Sequence, residues 1–128
     1  MAMPTEPAAQ PVASAGALCV APFAHLHIAT TGTAAPCCEF KGTIGSVRER
    51  NVDGLWNGPA LAEIRRRMVA GERLTECWKC HDREDAGMGS LRTQLNRHFA
   101  SHLARAAVGE ATALPVAFDI RFSNLCNF

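Results

Sequence analysis

At 128 residues the chain is long enough for one modest domain. Thirteen Lys and Arg against twelve Asp and Glu leave it near neutral, which argues against a dedicated nucleic-acid or membrane-surface binder, since both need a basic excess. Tyr is absent, and no apolar run approaches the roughly 20 residues of a membrane helix.

Residues 1–17 are rich in Ala and Pro and hold no Lys or Arg. A secretory signal needs a positive flank before an apolar block, so this stretch reads as a disordered leader of a cytoplasmic protein. Cys19 to Phe40 reads as a β-hairpin. Across Phe23–Thr30, Ala24, Leu26 and Ile28 point one way and Phe23, His25 and His27 the other. Thr31-Gly32 supplies a two-residue turn and Thr33–Phe40 the return strand. A loop containing Gly42, Gly45 and Gly54 follows. Trp56-Asn57-Gly58-Pro59 then opens a helix that runs to about Ala70, with Leu61, Ile64 and Met68 as its buried stripe and Gly71 as its stop. Arg65, Arg66 and Arg67 on that helix read as a solvated face, with screening of a nearby negative cluster as the rival role. Cys77-Trp78-Lys79-Cys80 falls in a loop. A longer helix fits Ser90 to about Ala107, with Ser90 as N-cap and Leu91, Leu95, Phe99 and Leu103 packing on one face. His98 and His102 read as ordinary surface or packing residues. Gly109 to Leu114 is a linker, and Val116–Phe122 alternates as a strand does.

The six cysteines are the main chemical clue. In a reducing compartment they suit metal ligation better than disulfides. The C-x-x-C spacing of Cys77 and Cys80 lets two thiolates converge from one tight turn. Cys37 and Cys38 are neighbours on the expected strand, so their side chains should face opposite ways. With Thr30 paired to Thr33, Cys37 falls opposite Leu26 on the inward face and Cys38 lies on the His25 side. Pro22 could bend Cys19 back toward Cys37. Cys19, Cys37, Cys77 and Cys80 can thus be gathered, and four soft thiolates suit structural zinc or an iron–sulfur cluster; spacing does not choose between them. Cys77 to His81 also spells C-x-x-C-H, the c-type haem attachment pattern, with His81 as proximal and Met88 as a candidate distal ligand. Haem attachment normally requires export, and it leaves Cys19, Cys37 and Cys38 without a role. A thioredoxin-like redox motif would sit at a helix start after a strand, which the flanking glycines disfavour.

A family resemblance rests on an ordered series: Cys19-Val20-Ala21-Pro22-Phe23, Gly32 five residues before Cys37, Pro36-Cys37-Cys38, Ile44-Gly45, Leu55-Trp56-Asn57-Gly58, Ile64-Arg65, and Cys77 with Cys80. The series resembles the SPASM and Twitch auxiliary-cluster modules of radical S-adenosylmethionine enzymes, over residues 18–92. In that family the corresponding cysteines bind a [4Fe–4S] cluster. No cysteine lies between Cys80 and Cys126, so the likeness is to the shorter, single-cluster Twitch type. The order is unusual, because such modules generally follow the catalytic barrel. Phe118 to Phe128 resembles the first barrel strand of a radical SAM core and its loop, and Cys126 would be the first ligand of the Cys-x-x-x-Cys-x-x-Cys motif.

The resemblance therefore implies an α+β fold: a small β-hairpin plus two helices around a cysteine-ligated metal cluster, a helix and linker over 93–114, and the first strand of an otherwise missing (β/α) partial barrel over 115–128. It implies an auxiliary [4Fe–4S] cluster here. It also implies a second [4Fe–4S] cluster and S-adenosylmethionine in the full-length enzyme, where one electron generates a 5′-deoxyadenosyl radical. A substrate (a peptide in many relatives) and an electron donor would be the partners, with no nucleic acid and no membrane. This stretch alone, with one catalytic-cluster cysteine and one barrel strand, is expected to be inactive. Sequencing the gene beyond Phe128 tests the reading: completion of the three-cysteine motif begun by Cys126 is expected, and unrelated residues would contradict it.

Overall fold

The computed structural model describes residues 17–122. The expected leader and Cys126 lie outside that range, apart from Ala17, which is buried. In chain order the elements are α1 (Ala21–Ala24), β1 (His25–Ile28), β2 (Thr33–Ala35), β3 (Gly45–Ser46), α2 (Val52–Trp56), α3 (Pro59–Val69), a 3₁₀ turn (Thr75–Cys77), α4 (Trp78–Asp85), α5 (Leu91–His98), α6 (Ala100–Ala107) and β4 (Ala117–Ile120). Among the described residues the strands form one sheet in the order β3-β2-β1-β4, antiparallel except for the parallel β1–β4 pair. The fold is thus α+β, as expected, with more strands and more helices than the sequence suggested.

The hairpin differs from expectation in register. Ala29 pairs with Thr33 through an N–H···O bond of 2.9 Å, and Ile28 lies opposite Ala34. The loop is therefore Thr30-Thr31-Gly32, three residues rather than two. Gly32, at φ 93°, takes the left-handed position that ends such a loop. A slip of one residue would turn every later side chain of the strand over. Here it does not matter for the cysteines, because β2 ends at Ala35 and the chain turns at Pro36, with the Phe40 amide donating to the Cys37 carbonyl at 3.3 Å. The first strand is also shorter than the alternation implied. Ala21–Ala24 form one helical turn that Pro22 can open, and all four residues are buried.

Helix α3 follows the sequence reading: Pro59 opens it, Leu61, Ile64 and Met68 are its buried face, and Gly71 at φ 90° lies just past its end. Two expectations change around it. The preceding loop contains β3 and the short helix α2, capped by Asn51, whose side chain accepts from the Gly54 amide. Arg65 is not on a solvated face: its guanidinium sits 4.6 Å over the Trp56 ring and its Nε donates to the Pro22 carbonyl at 2.7 Å. Burial pulls its pKa down to about 10. Arg66 and Arg67 do face outward, paired with Glu63 and Glu72.

The long C-terminal helix is two helices. Ser90 caps α5 in a capping box with Thr93, but the helical path breaks at Phe99, at φ −107° and ψ 37°. The Phe99 ring packs edge-on against His98 and approaches His25 and His102. Leu91, Leu95 and Leu103 still pack against the core, whose centre is Trp56, Phe23, Leu26, Leu61 and Leu74. The linker is pinned rather than free. The Trp56 indole donates to the Thr112 carbonyl at 2.7 Å, and the Thr112 amide donates to the Phe23 carbonyl at 3.0 Å.

These bonds deliver β4 to β1, where His27 lies opposite Asp119. The Asp119 carboxylate lies 3.0 Å from His27 Nδ1 and 3.3 Å from Arg121 Nε. Burial raises its pKa, but the hydrogen bonds from Arg121 and His27 outweigh burial and hold the carboxyl below its usual value. A depressed carboxylate stabilises the fold fully above its unfolded-state pKa of about 3.9 and loses that contribution as pH falls through the folded value. The Arg121 amide, which donates to the Ile28 carbonyl at 2.9 Å, should therefore lose exchange protection below about pH 4. Asp119→Asn should lower its protection at neutral pH and flatten that acid limb; an unchanged acid limb in the variant would contradict the assignment.

Candidate metal centre

Four cysteines reach one cavity from three parts of the chain. Cys19 lies two residues before α1. Cys37 follows β2 in the turn after Pro36. Cys77 ends the 3₁₀ turn and caps α4, while Cys80 lies in the first turn of that helix. The C-x-x-C pair thus sits at a helix start, not in a loop, although a 3₁₀ turn and not a strand precedes it. The wall is completed by Phe40 and Met68, and by Glu39, His81 and Arg92. The space within measures about 330 Å³ with its open mouth included.

Cys19, Cys37 and Cys80 are buried and Cys77 is half-buried, whereas Cys38 is exposed. Cys37 and Cys38 do part company as the sequence suggested, but a turn separates them rather than the alternation of a strand. Cys38 instead feels Asp119, Glu39 and Arg121.

Burial and mutual repulsion both act on the thiols. Burial lifts the Cys19 thiol well above its ordinary pKa, and Cys37, Cys77 and Cys80 push it further. Burial lifts Cys37 to about 12, reinforced by Cys77 and Cys80 and opposed by a hydrogen bond from the Glu39 amide. Burial lifts Cys77 to about 12 as well, followed by repulsion from Cys80. Cys19, Cys37 and Cys77 thus resist ionisation first because they are buried and then because ionised neighbours would repel them.

Two further wall residues matter. His81, read from sequence as a bystander beside the knuckle, is buried at 6% exposure. Burial, then Arg73 and Arg92, hold its imidazole below the ordinary value. Arg92, which the sequence reading passed over, is also 6% exposed. Its local signal was weak: a polar residue beside the Leu91–Leu95 stripe is ordinary on a helix.

The site is a thiol-lined cavity on a small α+β scaffold. Residues 19–81 match the model of the SPASM family, an iron–sulfur cluster-binding domain, and this stretch is similar to such a module. The match begins at the first cavity cysteine and ends one residue after the last. No curated protein and no solved structure matches the chain. No helix among the described residues is long and apolar enough to cross a membrane.

Thiol labelling checks the burial pattern directly. Among Cys19, Cys37, Cys38, Cys77 and Cys80 of the metal-free chain, Cys38 should be alkylated first at neutral pH, because the thiolate is the reactive form and access is required. Cys19 reacting first would contradict the arrangement.

Proposed function

We propose that the chain holds one auxiliary [4Fe–4S] cluster through Cys19, Cys37, Cys77 and Cys80, as part of a radical SAM enzyme. One observation carries the reading: the segment that matches an iron–sulfur cluster-binding domain places its four cavity cysteines around a single space. The donor set suits the group. Thiolates are the ordinary ligands of iron–sulfur clusters, and the apolar flank of Phe40 and Met68 limits water.

The match of residues 19–81 to an iron–sulfur cluster-binding domain favours a cluster over a single zinc ion. Zinc needs four ligands converging within about 2.3 Å of one point. Among the described residues no group of three or more Cys, His, Asp or Glu side chains is arranged to hold a single metal ion. The haem alternative is poorly supported as well: Met88 is half exposed in the loop after α4, and both knuckle sulfurs line a cavity shared with Cys19 and Cys37.

A bound cluster supplies one-electron transfer chemistry. The chain's own residues supply the rest. Cys77 and Cys80 present two sulfurs from one helix start, where the amide dipoles favour negative charge. Cys19 and Cys37 close the opposite side, and the buried wall shields the centre from solvent. Through the family likeness, β4 would be the first barrel strand and Cys126 the first ligand of the catalytic cluster that activates S-adenosylmethionine. An electron donor and a substrate, a peptide by analogy, would be the partners of the full-length enzyme. The reading places it in the cytoplasm, without nucleic-acid or membrane partners.

Anaerobic loading with iron and sulfide tests the proposal. The wild-type chain should turn brown and hold iron and labile sulfide in equal amounts. Cys19→Ala or Cys77→Ala should lose most of both, and Cys38→Ala should keep them. Full retention in Cys19→Ala, or a colourless wild-type protein that takes up zinc alone, would overturn it.

A further inference from the structure

The wall of the cavity holds one permanent cation among the described residues, Arg92. It is a costly residue to bury: an unpaired charge in a protein interior is strongly disfavoured. Its side chain is 7% exposed, and it is held on two sides. Toward α4 it makes a bidentate pair with Glu84, with Nε donating to Oε2 at 2.9 Å and Nη2 donating to Oε1. The Ser90 hydroxyl donates to the same Oε2 and fixes the carboxylate in turn. Toward the N-terminal segment, Nη1 donates to the Leu18 carbonyl at 2.8 Å.

A second residue on the same face of α5 joins it. Asn96, four positions on, donates from Nδ2 to the Leu18 carbonyl at 3.0 Å and accepts at Oδ1 from the Val20 amide at 2.8 Å. Helix α5 therefore grips the backbone on both sides of Cys19. Cys19 itself belongs to no regular element, so nothing in its own segment fixes its thiol beyond a 3.4 Å contact from the Ala21 amide. Both Arg92 and Asn96 lie outside the 19–81 segment that matches the family.

We propose that Arg92 and Asn96 are positioning residues of the metal centre: together they set the Cys19 backbone, and Arg92, the cation of the cavity wall, offsets part of the negative charge of four thiolates. The inference rests on the cluster reading above. Charge near a cluster sets its reduction potential, and reduction adds negative charge. A buried cation favours the reduced state, so its removal should move the potential to more negative values. Asn96 carries no charge, so its loss should weaken retention without moving the potential.

The experiment compares Arg92→Met, Arg92→Gln, Arg92→Lys and Asn96→Leu with wild type in the same 128-residue chain, loaded anaerobically with iron and sulfide. Folding is followed by circular dichroism, retention by iron release to a chelator, and midpoint potential by a redox titration monitored by electron paramagnetic resonance. The two neutral Arg92 variants should show a more negative potential, and Arg92→Lys should stay near wild type. Asn96→Leu should release iron roughly tenfold faster or more, the scale on which outer-shell partners act, at an unchanged potential. If both neutral variants fail to hold a cluster while Arg92→Lys holds one, the requirement for charge is supported. An unchanged potential in a neutral variant, or a shift in Arg92→Lys as large as in Arg92→Met, overturns the proposal. A wild-type chain that takes up no iron overturns the cluster reading itself, a result distinct from a loaded wild type with silent variants.

Discussion

Four thiols line one cavity inside a small domain, and the proposed metal centre depends on bringing them there. Protonated, they are weak hydrogen-bonding groups. Ionised, they repel, and burial opposes the charge further. Cys37 and Cys77, each pushed up to about 12, express this tension. A metal centre resolves it by replacing protons with positive charge, and the free energy of binding then becomes free energy of folding. For a domain this small, with a core built around one Trp and a few aliphatic side chains, that contribution is of structural importance.

The scaffold can be read as a device for bringing those sulfurs together. The hairpin carries Cys37 inward because the strand stops early and turns at Pro36. The 3₁₀ turn and α4 present Cys77 and Cys80 as a pair. Cys19 depends on more distant parts of the chain, since α5 holds its neighbours by three hydrogen bonds. Helix α5 is in turn anchored through the Arg92–Glu84 pair to α4, the helix that carries the knuckle. The first and last cavity cysteines are thereby tied together through one ion pair and one helix, although the family match itself ends before that helix begins.

Much of this was legible in the sequence where the signal was local. Helix α3 announced itself through Pro59, the Leu61–Ile64–Met68 spacing and Gly71, all within one short segment. Ser90 announced its own cap. The four cavity cysteines could be chosen from six by spacing, hairpin geometry and family likeness. The parts that were missed depend on tertiary contacts that no local pattern encodes. The apolar stripe of α5 continues through Phe99, so the break there, set among His25, His98 and His102, leaves no trace in periodicity. Three consecutive arginines look alike in sequence, yet Arg65 lies over Trp56 while its neighbours pair at the surface. Cys37 lines the cavity and Cys38 is exposed, whereas the sequence argument for separating them used a strand register that is off by one residue. The turn at Pro36, not the pleat, gives the outcome.

The central claim is that sulfur from Cys19, Cys37, Cys77 and Cys80 meets around one iron-containing core. X-ray absorption at the iron edge of the anaerobically loaded chain tests it most directly. The account predicts a first shell of sulfur alone and a second shell of iron around each iron. A first shell rich in nitrogen or oxygen, or iron with no iron neighbour, would contradict it.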